Sequence, residues 1–489
     1  LAALFDAQKD PASDTKVAVG KLSNQIVIMK IASLMPARFV ESLGELKRHY
    51  DGLLADDALA AAEKGFRIWS RTAPRDRAHI IMKAAALMRE RQEEIALSIT
   101  AEHGKPLPQA RLEVIRGCEF LEWDAGEAVR TYGRVIPSAP GIRYVVHHQP
   151  IGVVLGLAPW NFPMSQPCRK VAGALAAGCS IILKAAEETP AGALHIARAF
   201  HDAGLPAGVL NLVFGAPAMI SDYLIRQEPV RLVAFTGSTT IGRHLTTLAS
   251  ENMTSVLMEL GGHAPVIVCE DTDPEKAAIS SAIRKYRNAG QVCTSPTRFF
   301  VHESIYERFL DAFVKRAAAT VVGDGMTPGV EMGPLANERR VPALLDLIED
   351  AHAKGAELRT GGSRIGNRGY FLEPTVLANV PAHARIMQEE PFGPLAVINP
   401  VASLDEAIAQ ANSVPYGLAA YGFTNRADYI DRMTDEIEAG NVSFNTLEAS
   451  LPETPFGGVK SSGYGREGGI EGLNNYMIIK NISHSMKIV

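Results

Sequence analysis

Short apolar runs alternate with amphipathic stretches through the first half of the chain. Strand-like apolar runs occupy residues 151–157, 180–184, 209–213 and 231–236. Between them, apolar residues spaced three and four apart predict helices at 165–177, 190–203 and 217–227. Because strands that alternate with helices pair in parallel through crossover connections, the pattern predicts an α/β fold. A second series starts at residues 266–270, so we expect two parallel-sheet units that meet near residue 260.

Three segments depart from this alternation. Residues 76–99 have the periodicity of one long amphipathic helix. Residues 132–149 alternate like a β-hairpin with Pro and Gly at its turn, and the tail, residues 476–489, is again strand-like. Because exposed strand edges tend to be covered, the hairpin and the tail favour pairing with another subunit. The alternative is an internal hairpin on the same chain.

The composition indicates an ordinary globular chain. Its 489 residues carry 49 Lys and Arg against 54 Asp and Glu, a net charge of −5, with 47% hydrophobic and 21% charged residues. These values argue against a disordered chain, a coiled coil or a collagen. They also argue against a basic face for nucleic acid or for an anionic membrane. No apolar run of about 18 residues predicts a membrane span, and residues 1–14 lack the pattern of a signal peptide.

Five cysteines without C-x-x-C spacing argue against a disulfide framework and against a structural zinc site. Free thiols suit a reducing compartment, so we expect a cytoplasmic protein without a metal. Four cysteines lie in apolar surroundings that indicate packing: Cys118, Cys168, Cys179 and Cys269. Cys293 lies instead among Gly, Gln, Thr and Ser, as a reactive thiol would, although a lone cysteine is more often a small buried hydrophobe.

An amide is placed directly after a buried strand in Pro159-Trp-Asn-Phe-Pro163. The two prolines restrict the backbone around Asn161, at the carboxyl end of a predicted parallel strand. An amide held there could donate to a developing oxyanion. A rigid loop with a buried Trp is an equally good interpretation of the pentapeptide alone.

Glycine-rich turns follow at other predicted strand ends. In Phe235-Thr-Gly-Ser-Thr239, backbone N–H groups at a helix start could face a phosphate, although an ordinary turn explains the motif as well. The glycines at 463, 465 and 468 match G-x-G-x-x-G but follow no strand of a βαβ unit, so they indicate a loop. Glu259-Leu-Gly-Gly262 places a carboxylate 34 residues before Cys293.

Taken together, these motifs resemble those of the NAD(P)-dependent aldehyde dehydrogenase superfamily. PWNFP, FTGST, ELGG, GQVC, EEPFGP and PFGGVKSSGYGREGG occur in the order typical of that family. The resemblance covers residues 57–489, whereas residues 1–55 match it poorly. It implies two Rossmann-like parallel-sheet domains, one for the cofactor and one for catalysis, plus a small β oligomerisation element. The implied boundaries are 1–131 and 150–259, then 260–467, then 132–149 with 468–489.

Within the superfamily the chain looks most like the succinate-semialdehyde dehydrogenase branch and the related 2-oxoglutarate semialdehyde dehydrogenases. The motifs that carry this likeness are NAGQVCTSPTRFFV, the Arg169-Lys170 pair and PETPFGGVKSSGYG. Many members of the branch have a second cysteine two residues after the nucleophile, which forms a redox switch. Ser295 occupies that position here, so we expect no such switch.

The resemblance implies covalent catalysis by Cys293. A thiolate adds to the aldehyde, hydride leaves to the nicotinamide, and the resulting thioester is readily hydrolysed. Asn161 and the backbone N–H of Cys293 would bind the oxyanion. Glu259 would activate the hydrolytic water, and we expect it to move or to be partly protonated beside the thiolate.

The same resemblance implies a set of cofactor contacts. Trp160, Glu390 and Phe392 would lie at the nicotinamide and its ribose. Ser238 would contact the pyrophosphate, and Lys184 and Glu187 would face the adenosine ribose. Because a carboxylate accepts hydrogen bonds from ribose hydroxyls and repels a 2′-phosphate, Glu187 predicts a preference for NAD without exclusion of NADP.

Two arginines carry the expectation for the substrate. The semialdehyde branch uses arginines at the positions of Arg169 and Arg287 to hold a distal carboxylate, although both could be structural charges. The family's serine contact falls at Leu451, with Ser450 adjacent, which leaves the acid open. We therefore expect a homodimer or homotetramer that oxidises a short, carboxylate-bearing, succinic semialdehyde-like aldehyde with NAD. The alternatives are 2-oxoglutarate semialdehyde, a broader range of aliphatic or aromatic aldehydes, or a catalytically silent structural homologue.

Overall fold

The computed structural model describes the backbone of residues 21–22, 25–28 and 40–486, and the side chains of residues 55–486. The expectations for residues 1–14 and for the last three residues of the tail lie outside the described residues. In the described part of the chain, no helix combines the length and the apolar composition that crossing a bilayer requires. The same residues contain no group of three or more His, Cys, Asp or Glu that could hold a metal ion.

The strands occur throughout the described chain. In chain order they are β1 Lys21–Leu22, β2 Gln25–Ile28, β3 Arg134–Ile136, β4 Ile142–Pro150, β5 Val153–Leu157, β6 Ser180–Lys184, β7 Leu210–Val213, β8 Val230–Thr236, β9 Ser255–Glu259, β10 Pro265–Val268, β11 Arg298–His302, β12 Glu357–Thr360, β13 Thr375–Ala378, β14 Leu395–Val401, β15 Tyr416–Gly417, β16 Ala419–Phe423, β17 Asn441–Phe444, β18 Val459–Lys460, β19 Gly463–Tyr464 and β20 Met477–Ser485.

The α-helices fall mainly between these strands. They are α1 Val40–Trp69, α2 Pro74–Glu90, α3 Gln92–His103, α4 Leu107–Ala128, α5 Ser165–Ala177, α6 Ala191–Ala203, α7 Pro217–Ile225, α8 Thr239–Ser250, α9 Pro274–Tyr286, α10 Tyr306–Ala318, α11 Arg340–Ala353, α12 Arg385–Gln388, α13 Leu404–Asn412, α14 Ala427–Glu436 and α15 Gly469–Asn474.

Two large, mostly parallel sheets confirm the predicted α/β class. The first has the order β1-β2-β7-β6-β5-β8-β9-β19 and is parallel except at its two outer pairs. The second has the order β12-β13-β14-β11-β10-β16-β17 and is antiparallel only at β12. The chain passes from one sheet to the other between β9 and β10, close to the predicted meeting point at residue 260.

The hairpin and the tail form a third sheet of their own. Strands β3 and β4 pair antiparallel, and β20 pairs along the whole length of β4, from Met477 opposite Pro150 to Ser485 opposite Ile142. The predicted hairpin is therefore confirmed, and β20 is an edge strand of this sheet.

The prediction of a single helix over residues 76–99 is wrong. The helix stops at Glu90, and a second begins at Gln92, because Arg91 leaves the helical conformation with φ −96° and ψ 15°. The Arg91 side chain pairs with Asp202 at the end of α6, 2.6 Å away. The apolar periodicity continues across the break, so the sequence pattern conceals it.

The glycine-rich segment after residue 460 was predicted to be a loop. Part of it is a strand instead, because Gly463–Tyr464 form the short strand β19 beside β9. A Cβ at Gly463 would lie 1.9 Å from the carbonyl oxygen of Met258, and the residue has φ +111°. Both conditions require glycine there. The segment contacts the strand that ends at Glu259, so it supports the site and does not form a dinucleotide fingerprint.

Candidate active site

The carboxyl ends of three neighbouring strands meet at one edge of the first sheet. Strands β5, β8 and β9 are parallel, with Leu157 opposite Phe235 and Thr236 opposite Glu259. The Asn161 loop follows β5, the turn with Ser238 follows β8, and Glu259 is the last residue of β9. The three predicted motifs therefore lie side by side, where open α/β sheets bind their ligands.

The Asn161 loop is held by hydrogen bonds from several elements. Lys105 Nζ donates to the carbonyl oxygen of Asn161 at 2.8 Å, and Asn288 Nδ2 donates to the same oxygen at 3.1 Å. The Asn161 side chain is buried and donates from Nδ2 to the Gln291 carbonyl oxygen, 3.1 Å away. Because a carboxamide carries two N–H hydrogens, this bond leaves one for another acceptor. Asn161 thus lies against the backbone that leads to Cys293.

A buried ion pair lies beneath this loop. Lys105 and Glu113 pair at 2.5 Å with both side chains about 1% exposed. Glu113 also accepts a hydrogen bond from the backbone N–H of Met164 at 2.8 Å, just after the loop. We define Lys105, Glu113, Asn288 and Gln291 as the anchor cluster. No role was predicted from the sequence for any of the four, because their spacing along the chain does not show that they contact the Asn161 loop or one another.

The turn before Cys293 has an unusual backbone. Asn288, Ala289 and Gly290 have positive φ values of 54°, 53° and 68°. Three consecutive left-handed residues are costly, and surrounding contacts have to hold them. The Asn288 N–H donates to Gln109 Oε1 at 2.9 Å, and a Cβ at Gly290 would lie 2.1 Å from the carbonyl oxygen of Gly393. The turn therefore places Cys293 by close backbone packing.

The pKa of Cys293 depends on burial and on the charges around it, Glu259 included. Burial raises the pKa of the Cys293 thiol to about 12, the carboxylates of Glu390 and Glu259 add to the rise, and Arg169 opposes it. The glycine pair after Glu259 permits close approach, because a Cβ at Gly262 would lie 2.4 Å from the Cys293 carbonyl oxygen. The predicted pair is therefore brought together in space.

Glu259 is a buried carboxylate without partners among the described residues. It is 2% exposed, and neither carboxylate oxygen accepts a hydrogen bond. Burial raises its pKa well above the usual range, and the nearby Glu467 raises it further, against Lys170 and Arg169. Lys170 Nζ binds Glu467 at 3.0 Å and Thr236 Oγ1 at 2.8 Å. The direction of this shift agrees with the expectation of partial protonation. No role was predicted for Lys170 or Glu467.

Arg169 and Ser450 lie together beside this pair. Arg169 Nη2 donates to Ser450 Oγ, whereas its buried Nη1 donates to no described residue and lies 4.0 Å from Glu467 Oε2. The guanidinium stacks 3.9 Å from the Phe120 ring centroid and 4.9 Å from that of Phe456. The charge of Arg169 also acts on both Cys293 and Glu259. A buried cation with a free N–H beside a thiol can bind an anionic group of a reactant.

Arg287 lies elsewhere on the rim of the Asn161 loop. Its guanidinium is 5.8 Å from the Phe162 ring centroid. Burial lowers its pKa to about 10, with the neighbouring Arg284 in the same direction. The structure places Arg287 beside the loop but records no contact between it and Arg169 or Ser450.

The predicted cofactor residues fall into two groups. Near Cys293, the rings of Trp160 and Phe392 meet edge to face at 5.6 Å, and Glu390 Oε1 accepts from the Gly262 N–H at 3.1 Å. Burial raises the pKa of Glu390 to about 7. At the adjacent strand ends, Lys184 and Glu187 pair at 2.6 Å.

Ser238 is the exposed N-cap of α8, where its Oγ accepts from the Ile241 N–H. The Ser238 hydroxyl hydrogen thus remains available at a helix N-terminus, which is a favourable position for a phosphate. Lys184, Trp160 and Ser238 stand at or just after the ends of the neighbouring strands β6, β5 and β8, the edge at which open α/β sheets bind dinucleotides.

The other four cysteines confirm the packing interpretation. All four are buried. Cys293 alone among the five is partly exposed.

Comparison with known proteins gives one consistent result. The model of the aldehyde dehydrogenase family matches residues 41–482. The chain is 46% identical over 430 residues to the 4-(hydroxymethyl)benzenesulfonate dehydrogenase TsaD1 of Comamonas testosteroni, covering 87% of this chain and 90% of the relative. It is 40% identical to the succinate-semialdehyde dehydrogenase of Escherichia coli strain K12, whose name specifies NADP(+), over 86% of this chain and 88% of that protein. The crystal structure of succinate-semialdehyde dehydrogenase from Burkholderia pseudomallei superposes with a TM-score of 0.87 at 40% identity, covering 88% of this chain and 90% of the other.

Proposed function

The chain belongs to the aldehyde dehydrogenase family, whose members use NAD(P), and we propose that it oxidises an aldehyde with an anionic group at its far end to the matching acid. The observation that carries the proposal is that Arg169 interacts electrostatically with both Cys293 and Glu259, and Glu259 with Cys293. A nucleophile, an unpartnered base and a buried cation are the groups that such a reaction requires.

Cys293 is the nucleophile of the proposed reaction. The proton of its thiol passes to water, the thiolate sulfur adds to the aldehyde carbon, and the free N–H of the Asn161 amide stabilises the oxyanion together with the Cys293 backbone N–H. The anchor cluster keeps that amide in place, so no reorganisation is needed as charge develops. NAD(P), when bound, supplies the acceptor for the hydride that leaves the aldehyde carbon, and a thioester on Cys293 remains.

Glu259 is the base that completes the turnover. Because neither of its oxygens has a protein partner, it can accept a proton from water as that water attacks the thioester. The raised pKa of Glu259 also favours proton transfer from water, since a carboxylate of higher pKa is a stronger base. The ionised fraction of Glu259 rises with pH, so thioester hydrolysis should accelerate as pH increases through the pKa of this residue.

The cofactor site follows from the two groups of residues at the sheet edge. Trp160, Glu390 and Phe392 hold the nicotinamide end beside Cys293, and Ser238 contacts the pyrophosphate. Lys184 and Glu187 face the adenosine ribose. The carboxylate of Glu187 favours NAD, because it meets a 2′-phosphate as a like charge, while Lys184 moderates the preference. The NADP(+) in the name of the Escherichia coli relative makes this a proposal that needs a direct test.

The substrate class is inferred from Arg169. Its Nη1, which donates no hydrogen bond although it lies 4.0 Å from Glu467 Oε2, and its bond to Ser450 make a receptor for a carboxylate, with Arg287 as a second cation at the Asn161 loop. A succinic semialdehyde-like substrate fits this receptor. An aromatic sulfonate is the second candidate, because Phe120 and Phe456 flank Arg169 and a relative at 46% identity carries benzenesulfonate in its name.

The test is a set of matched aldehydes assayed by NADH formation. Succinic semialdehyde is compared with butanal, and 4-sulfobenzaldehyde with benzaldehyde, each with NAD and with NADP. We expect at least one anionic member to exceed its uncharged partner in kcat/KM by about tenfold or more, the size of one charged hydrogen bond. Equal values within both pairs would contradict the proposed receptor. No turnover with any aldehyde would indicate the catalytically silent homologue.

The remaining assignments are proposals about assembly. We propose a cytoplasmic homodimer or homotetramer in which the sheet of β3, β4 and β20 joins subunits. Its edge strand β20 exposes Ile478, Ile479 and Ile482. Pairing of this edge with another copy of the chain would cover exposed apolar side chains and an open strand edge together. We also keep the cofactor domain at 1–131 and 150–259 and the catalytic domain at 260–467.

A further inference from the structure

A cavity of about 550 Å³ lies away from the candidate active site. It is formed where the segment between α1 and α2 meets the end of β4, the start of β20 and the carboxyl end of α5. Its volume falls within the range of small-molecule sites, about 300–1,000 Å³. None of the roles proposed for the active site uses the residues that line it.

The lining combines apolar residues with a group of nitrogen- and hydroxyl-bearing side chains. Arg71, Arg77, His147 and His148 supply nitrogen donors, and Thr131 is among the hydroxyl-bearing residues. None of the described residues that line the cavity is Asp or Glu. A concave surface with several donors and no carboxylate attracts anions and repels cations.

Arg77 is the residue that most directly indicates a ligand. It is 5% exposed, and within the described residues no carboxylate lies within ion-pair distance of it. Its Nε donates to the Ala176 carbonyl oxygen and its Nη1 to that of Thr72, whereas Nη2 donates to no described residue. Burial lowers the pKa of the guanidinium. The Ala176 carbonyl at the end of α5 and the Thr72 carbonyl before α2 compensate the buried charge only in part, so an anion beside Nη2 would be favourable.

We propose that this cavity binds a small oxyanion of two or more negative charges, such as a phosphorylated metabolite or a dicarboxylate, through Arg77, Arg71 and His148. Arg77 provides the buried charged donor, and the other two close the site from the segment before α2 and from β4. The site is separate from the cofactor's pyrophosphate subsite, which is at Ser238 on the N-terminus of α8.

The experiment titrates the full chain, saturated with NAD, with pyrophosphate and separately with succinate at constant ionic strength, by isothermal titration calorimetry. Saturating NAD fills the Ser238 subsite. Because succinate is the product of the proposed reaction and can also bind at Arg169, only the binding that the cavity variants weaken is assigned to the cavity. For pyrophosphate we expect one anion per chain, and for either anion a loss of cavity affinity of about tenfold or more in the double variant Arg71→Gln, His148→Gln. Pyrophosphate as the tighter ligand would indicate a phosphorylated metabolite, and succinate as the tighter ligand a dicarboxylate.

Controls separate the cavity from general charge effects. Arg75→Gln removes an exposed arginine in the first turn of α2 that does not line the cavity, and it should bind both anions like the wild type. Arg77→Gln should abolish binding, provided that its circular dichroism spectrum shows a folded chain. Binding that is absent at matched ionic strength, or that Arg75→Gln weakens as much as the double variant does, would overturn the proposal. Neither result depends on which aldehyde the enzyme oxidises.

Discussion

Two buried groups of polar residues meet at the Asn161 loop and differ in how their hydrogen bonds are satisfied. In the anchor cluster, Lys105 pairs with Glu113, and both also bind the backbone of the loop. In the second group, both carboxylate oxygens of Glu259 lack partners, and burial raises the pKa of both Glu259 and Cys293. Lys105 and Glu113 thus satisfy each other and hold the loop, whereas Glu259 keeps both oxygens free for water. The separation is incomplete, because Asn288 Oδ1 of the anchor cluster also lacks a partner.

Removal of the reacting thiol should have the largest effect. Cys293→Ala should reduce NADH formation by more than about a thousandfold, because a covalent route cannot proceed without the nucleophile. Binding of the cofactor, measured by fluorescence titration, should change little. Cys118→Ala is the matched control, since that thiol is buried in α4 and packs against its neighbours. A Cys293→Ala enzyme with substantial turnover would remove Cys293 from the proposed role.

Removal of the Glu113 carboxylate from the anchor cluster should mainly lower the free energy of unfolding. Glu113→Gln leaves Lys105 buried without its counter-charge, which typically costs about 3–5 kcal/mol in the free energy of unfolding. Urea denaturation followed by circular dichroism measures the change. The control is Glu93→Gln, which breaks an exposed pair with Arg111 and should leave the midpoint close to that of the wild type. Similar midpoints for both variants would mean that Lys105 and Glu113 do not anchor the loop.

The two groups also differ in how far the sequence predicts them. The strand at 180–184 and the helix at 165–177 match the structure residue for residue, because apolar patterning and a terminal glycine define their limits locally. Cys293, Glu259 and Asn161 were identified through motifs in order along the chain. The anchor cluster was missed because Lys105 and Asn288 reach the Asn161 carbonyl oxygen only after folding, across 56 and 127 residues. The break at Arg91 was missed as well, and its side chain pairs with Asp202, which is distant in the sequence.

Substitution of Arg169 and Arg287 tests whether these arginines bind the substrate or only support the fold. Arg169→Lys and Arg287→Gln should each lower kcat/KM for an anionic aldehyde by about ten- to hundredfold, the size of one charged hydrogen bond of roughly 1.5–3 kcal/mol. The uncharged aldehyde of equal length should lose much less. Equal losses on both members of the pair would place the arginines with the anchor cluster, as structural charges.

The substitution that alters cofactor preference should have the smallest effect of the set on kcat/KM. Glu187 is 39% exposed and already paired with Lys184, so solvent screens its repulsion of a 2′-phosphate. Glu187→Ser should lower the ratio of kcat/KM for NAD over NADP severalfold at low ionic strength, and by less at high ionic strength. A wild-type enzyme that prefers NADP, or a ratio that the substitution leaves unchanged, would contradict the assignment of Glu187.

The proposal that Glu259 completes the work of Cys293 is tested most directly by trapping the intermediate. Glu259→Gln keeps the shape of the side chain but removes the base, so the thioester should form and then persist. Mixed with an accepted aldehyde and NAD, this variant should release a rapid burst of about one NADH per chain. Intact mass spectrometry should show the acyl group added to Cys293, and the double variant Cys293→Ala, Glu259→Gln should show neither signal. If the burst and the steady rate fall together and no acyl adduct accumulates, Glu259 is not the base of thioester hydrolysis.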